Sequence, residues 1–375
     1  MKHPFIILVT CIWLSTQVPV AIAQQAQLVE AAFSPSLLPD KQSDSPPLLG
    51  ITGRVRITDN DRFLSEVLDL AEQARGLGDR SESGVLLLDF ETDSLIAEMK
   101  ELDGQFATGR ANFAVLFDAP LLPEGWHLCA CGQGRFAGTF VYDPEDEQRL
   151  QLATMTAGLT PSDLESTIET AGVAVIDLAL MKRFNVNWLK GFNFGASFKY
   201  QYIILQERKL RLVEHEDDEL FDPSRDSNEH HFGNIDIGLT KKWASWDITA
   251  VLRNLIPGEF DGPLTDSGWQ SRPHLELHAQ RPLSIGSLSI SGDITERTGF
   301  SHVPKERRTG IKLVSPIHPK INSILGYKNY DNSIDKNSVL MGLDYFLLEY
   351  FHLAATMEFS DSREFGAMVE VQLLF

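Results

Sequence analysis

Phe365-Gly366-Ala367-Met368-Val369-Glu370-Val371-Gln372-Leu373-Leu374-Phe375 closes the chain. Phe365, Ala367, Val369, Val371, Leu373 and Phe375 fall on one face, and Gly366, Met368, Glu370 and Gln372 on the other. A period of two sustained over this length predicts a β-strand with one apolar face. About ten such residues are what a tilted strand needs to cross a bilayer. Termini usually fray, so a strand that carries its apolar face to the last ring is expected to be built into a larger sheet.

The other end of the chain agrees with export. Lys2 precedes an apolar run from Phe5 to Trp13, and the small-residue triplet Ala21-Ile22-Ala23 precedes Gln24, which predicts a secretory signal peptide over residues 1–23. No later stretch reaches 18 uninterrupted apolar residues, so no helical span is expected in the remainder. Loss of the signal removes Lys2 and no acid, moving the formal charge from −19 to −20. Such acidity opposes direct nucleic-acid binding, which needs clustered Lys and Arg.

Residues 24–110 read as an N-terminal extended and helical segment. Pro35, Pro39, Pro46 and Pro47 prevent a long helix early on. Gly50 to Ile57 alternates as a strand. Phe63, Val67, Leu70, Ala71 and Ala74 then recur at helical spacing, with Gly76 and Gly78 expected to stop that helix. A second helix is expected near Ser94 to Phe106, carrying Met99. Two short amphipathic helices need a surface, and a barrel lumen or mouth supplies one. Phe63, Val67 and Met99 are therefore candidates for plug packing or for a hydrophobic ligand.

From residue 111 the period is two and stays so. About fourteen candidate strands follow, among them Trp126 to Cys131, Arg135 to Tyr142, Gly191 to Ile204, Pro273 to Arg281 and Glu364 to Phe375. Several exceed the five or six residues usual in soluble sheets. Aromatics such as Trp246, Tyr345, Tyr350 and Phe375 sit at strand ends. The expected fold is all-β: a transmembrane antiparallel β-barrel of about 12–14 strands over residues 111–375, with the N-terminal segment as a plug or periplasmic cap. Long connections at Gln206 to Gly233, Leu255 to Arg272 and Arg297 to Arg308 alternate with tight ones at Ala244-Ser245 and Leu347-Leu348-Glu349. The tight turn Asp361-Ser362-Arg363 falls on the side of the long loops, which conflicts with this division.

Few residues suggest chemistry. His274, Glu276 and His278 share one face of a strand and form the candidate metal ligands, although same-face neighbours are too widely spaced for ideal coordination. Asp236, Asp247, Glu276, Asp293 and Glu358 are expected to point inward and give an acidic lumen. Acids from Glu214 to Asp226, followed by Glu229, His230 and His231, form a charged outward loop that could meet lipopolysaccharide through divalent cations. Cys129 and Cys131 lie on one strand face about 6.6 to 7 Å apart, and are expected to carry no redox role, a strained disulfide being the alternative. No serine-hydrolase elbow, zinc-protease helix, phosphate loop or dinucleotide fingerprint is present. No enzymatic activity and no cofactor are expected.

The terminal strand resembles the closing strand of Gram-negative outer-membrane barrels, in which the final aromatic, here Phe375, is read by the insertion machinery. Ala31-Ala32-Phe33-Ser34-Pro35-Ser36-Leu37-Leu38 is similar to the A-x-F-N-P-A-L-L segment of barrel-type conjugal-transfer TraF-like proteins, with Ser34 in place of Asn. Val251 to Phe260 also fits that pattern. This family is distantly similar to FadL-type transport barrels and is distinct from the thioredoxin-like proteins that share the TraF name, whose C-x-x-C is absent here. The resemblance implies a non-enzymatic outer-membrane barrel serving envelope assembly or the surface of a transfer system. Its partners would be outer-membrane lipid and lipopolysaccharide, the barrel-insertion machinery and transfer-apparatus proteins. The alternative is a transporter of small hydrophobic molecules, which would need a continuous apolar pocket around Phe63, Val67 and Met99.

Overall fold

A computed structural model describes residues 48–59, 62–118, 125–156, 163–185, 191–212, 226–264, 267–331, 337–348, 351–360 and 365–374. The expected signal peptide, the Ala31 to Leu38 motif, the acids from Glu214 to Asp222, the turn at Asp361 and the ring of Phe375 lie outside the described residues.

The chain is dominated by antiparallel strands. They are β1 (Leu48–Asp59), β2 (Phe106–Asp118), β3 (Trp126–Val141), β4 (Thr167–Asn185), β5 (Phe192–Arg211), β6 (Ser227–Trp243) and β7 (Trp246–Arg253). A short pair, β8 (Gly258–Asp261) and β9 (Gly268–Ser271), precedes β10 (His274–Leu283), β11 (Gly286–Asp293), β12 (Arg308–His318), β13 (Ile321–Tyr330), β14 (Ser338–Leu348), β15 (Phe351–Ser360) and β16 (Phe365–Leu374). Three helices join them: α1 (Phe63–Glu82), α2 (Asp89–Leu102) and α3 (Glu145–Met155).

Every strand except β8 and β9 joins one ring, in which each pairs with its chain neighbour and β7 pairs with β10. The order returns on itself because β1 pairs with β16 on one side and β2 on the other. Ile57 lies opposite Phe365 and Leu48 opposite Leu374. The Gly50 to Ile57 strand is therefore a wall strand, and the expected boundary near residue 110 does not separate it from the sheet. The expected break between Cys131 and Arg135 is also absent, since β3 pairs continuously from Trp126 to Val141 with β4. Close packing between β2 and β3 calls for glycine at two positions: a Cβ at Gly132 of β3 would collide with the Phe113 ring of β2, and one at Gly109 of β2 with Phe136 of β3.

The two ends of the ring differ. Where β1 begins and β16 ends, connections such as Ala244-Ser245, Ser284-Ile285 and Pro319-Lys320 are two residues long. The wider intervals between wall strands, from Asp59 to Phe106, Val141 to Thr167, Arg211 to Ser227, Arg253 to His274 and Asp293 to Arg308, begin and end at the opposite end. β4 and β5, 19 and 20 residues long, rise toward that loop end well beyond the 10-residue strands β13 and β15. Pro316 coincides with a register shift against β13, while Pro319 begins the adjoining turn.

The helices stand on the outside of this tall wall. Tyr200 is 51% exposed while Lys199 and Gln201 are buried, which fixes even-numbered residues of β5 as outward. Leu210 shares Tyr200's face, as Ile168 of β4 shares that of exposed Leu178. Both are buried in one cluster with Phe140, Phe63, Val67, Leu70, Leu95 and Met99. The helices thus form a shoulder on the outer face of β2–β5 at the loop end, and the expected plug inside the barrel is not formed by them. The reason is local: the outward apolar residues near the tops of β3–β5 offer a dry surface to the apolar faces of α1 and α2. Gly76 and Gly78 do not end α1, because Leu77 and Gly78 are buried beneath it; the chain turns at Gly84, whose φ is 81°.

Candidate functional site across the barrel interior

Two segments that the sequence reading treated as plain connections enter the interior from the loop end. The β8–β9 hairpin brings Phe260 and Trp269 inward, with ring centroids 5.7 Å apart. The 294–307 segment adds Phe300 and Val303, whose backbones bond each other in a tight loop. These four side chains are buried against Ala137, Ala171, Val173, Val175, Ile203 and Leu205, inward residues of β3, β4 and β5.

Segment 294–307 leaves β11 and enters β12, on the opposite side of the ring from β2 and β3. It is nonetheless tied to β2 and β3. Glu306, 1% exposed, pairs with Arg110 of β2 and Arg308, and lies 3.6 Å from Arg135 Nη1 of β3. Arg135 also donates to the Thr298 carbonyl at 2.5 Å and the Pro304 carbonyl at 3.4 Å. His302 Nε2 lies 2.7 Å from Glu169 of β4. The segment is a strap across the lumen. Burial alone would raise the Glu306 carboxyl, but the guanidinium groups of Arg308, Arg110, Arg135 and Arg297 hold it down to about 2. Burial disfavours the charge on Arg297, yet Glu276, Asp293 and Glu306 raise its affinity for the proton above the ordinary value.

The expected acidic lumen is instead charge-paired. Arg56 donates to Glu358 at 2.9 Å, and Lys328 does so at 3.2 Å. Lys199 Nζ lies 2.9 Å from Asp236 and 3.4 Å from Asp177. Tyr330 donates to Glu358 at 3.0 Å and sits between the guanidinium groups of Arg56 and Arg110. A buried carboxylate without a cation would be costly, so inward acids on these strands arrive with inward bases.

The three candidate ligands are only partly united. His274 Nε2 lies 3.1 Å from Asp293 and 3.5 Å from Glu276. These three offer ligand atoms within 4.8 Å of one another. Asp293, from the paired strand β11, completes the group, while His278 stays 3.6 Å from Glu276 on its far oxygen. Arg297 donates to Glu276 at 2.6 Å and to Asp293 at 2.9 Å, and Arg253 lies 3.0 Å from Glu276. The carboxylates already have guanidinium partners, so the group works as an ion-pair network that anchors the strap's first residues. Phe63, Val67 and Met99 do come together, in the shoulder rather than the lumen.

Cys129 and Cys131 are joined by a disulfide, contrary to the expectation from ideal strand spacing. Their Cα atoms are 5.9 Å apart, inside the usual bridging range, because β3 is contracted relative to a fully extended strand. The functional residues that sequence reading missed are Arg110, Arg135, Glu306, Phe300 and Trp269. Only the pairing of β11 and β12 across from β2 and β3 could have revealed them.

Fold and interior together define an antiparallel β-barrel with a strapped lumen. The family described as "F plasmid transfer operon, TraF, protein" matches residues 34–289, and the chain belongs to that family. No curated protein matches. Among solved structures, the chain is similar to the P. putida toluene transporter TodX at 9% identity and TM-score 0.48, over 92% of this chain and 94% of that one. A TodX mutant described as a monoaromatic hydrocarbon channel gives 10% and 0.49, over 92% and 94%. OmpF of Salmonella typhi gives 8% and 0.36, over 89% and 99%.

Proposed function

We propose that this chain is a non-enzymatic outer-membrane β-barrel that serves the envelope or surface part of a transfer apparatus. Membrane placement is supported by the outer face of the ring. Leu178, Phe198, Leu325, Met341, Leu343 and Met357 are exposed there in an apolar band. Toward the short-turn end, aromatic rings lie beside cations: Trp126 with Lys182, Phe192 with Lys241 and Trp246 with Arg281. Such pairs suit a membrane–water interface. Short turns belong to the periplasm in such barrels, so the strap and shoulder face outward and the shoulder is not a periplasmic cap. Among the described residues, no helix is long and apolar enough to cross a membrane.

The observation that carries the role is the strap across the interior. The strap binds both walls of the interior, and outside the wall Phe63, Val67 and Met99, at 1%, 2% and 0% exposure, are buried in the core of the shoulder. A surface or assembly role fits this better than passage of hydrophobic molecules. The test combines gene deletion in the host with planar-bilayer recording and lipid extraction of the purified protein. Reduced conjugal transfer, with no steady conductance and no co-purified hydrophobic ligand, is expected. Normal transfer with a stoichiometric bound hydrophobe would replace this reading by the transporter.

A further inference from the structure

We propose that the far tip of the shoulder is a docking surface for a protein segment whose apolar side chains are flanked by lysine or arginine. The tip is the bend between α1 and α2 together with the end of α3. Leu86, Leu88 and Phe90 are 50%, 51% and 69% exposed, and Leu152 and Met155 of α3 are 59% and 76% exposed. The two parts form one surface, since the buried Leu87 between them donates its N–H to the Ala153 carbonyl at 3.4 Å. Leu77, Leu87, Leu150 and Ala153 already complete the core beneath. The outer residues leave half or more of their surface outside the shoulder's own packing, and clustered exposed apolar side chains of this kind mark interaction sites.

Charge selects the occupant. Between residues 62 and 103 the chain has eleven acids and four bases. Asp79, Glu82, Asp89 and Asp93 are exposed beside the tip. Arg80 is engaged with Glu91 at 2.7 Å and is not available to offset them. A second copy would bring the same acids face to face, and nucleic acid or anionic headgroups would be repelled likewise. The wall beneath the shoulder also extends well beyond the exposed band. Leu210, on which the shoulder rests, is ten residues beyond Tyr200 of the exposed band, or roughly 33 Å along the strand. A basic amphipathic segment satisfies both the apolar centre and the acidic rim.

This inference concerns binding and stands whether or not the barrel conducts. The test uses the full-length protein in zwitterionic nanodiscs, with a fluorescent leucine–lysine amphipathic helix as probe and empty discs as baseline. A leucine–glutamate helix serves as the charge control. Saturable, salt-sensitive binding of the first and none of the second is expected. Leu86→Ser with Phe90→Ser, both exposed, should weaken binding about tenfold, and Asp89→Asn with Asp93→Asn should flatten its salt dependence. Equal binding by the serine variant, or by the glutamate helix, would overturn the proposal. So would insertion of a fluorophore at position 90 into anionic vesicles, which would assign the tip to lipid.

Discussion

Glu306→Gln should release the strap while leaving the barrel intact. The side chain keeps its shape but loses the charge that Arg308, Arg110 and Arg135 share. Moving the carboxyl from its ordinary 4.5 to about 2 corresponds to about 3 kcal/mol of preference for the charged form. Breaking a buried ion pair from one side costs a similar amount, roughly 3–5 kcal/mol. The loss falls on segment 294–307, because the strands on either side keep their ladder bonds. Hydrogen exchange by mass spectrometry should show its amides opening on the order of a hundredfold more often. pH provides an independent arm. A carboxyl whose folded value is depressed contributes fully above about 4.5 and loses that contribution as pH falls toward about 2. Wild-type protection should therefore hold to about pH 4.5 and decline below it, whereas the variant should be weakly protected throughout. Unchanged protection in the glutamine variant at neutral pH would refute the latch. Loss of heat-resistant migration would show that Glu306 holds the barrel rather than the strap.

Phe63→Ala should cost about 3–5 kcal/mol in the shoulder, read as faster exchange across Leu87 to Leu102 with β13–β15 unaffected. Lys199→Met leaves Asp177 and Asp236 without their shared ammonium, so barrel melting in detergent should fall by about 3 kcal/mol or more in stability. Gly286 has a φ of 141°, and an added Cβ would meet the Val314 carbonyl. Gly286→Ala should lower the yield of heat-resistant barrel, with a cost of about 1–3 kcal/mol; an unchanged yield would contradict the close approach of β10–β11 to β12.

The strand pattern was legible because inward and outward residues alternate with different chemistry, as in Phe198 and Tyr200 against Lys199 and Gln201. The expected strand Pro273 to Arg281 falls on β10, His274–Leu283, for that reason. Gly132 misled, since a glycine that accommodates a neighbouring ring, here that of Phe113, looks like a turn in isolation. α3 was missed although Asp143-Pro144-Glu145 offers acids and a proline at a helix start. The interior was the least legible part. Arg110 and Glu306 are 196 positions apart, and their pairing depends on ring closure, which carries no local signature.

Ring closure also fixes which end of the barrel each strand terminus occupies. β15 must rise and β16 must descend for Leu374 to lie opposite Leu48, so Ser360 and Phe365, where the two strands end and begin, lie at the loop end. Length alone was a poor guide there. β13–β16 are short strands with little to support above the band, and a brief link joins β15 to β16. β2–β5 are tall, and their exposed upper faces create the demand for long segments: the shoulder outside on Leu210 and Ile168, the strap inside on Ile203 and Val173. Loop length therefore follows wall height, because each added stretch of strand toward the loop end brings apolar surface that must be covered on both faces.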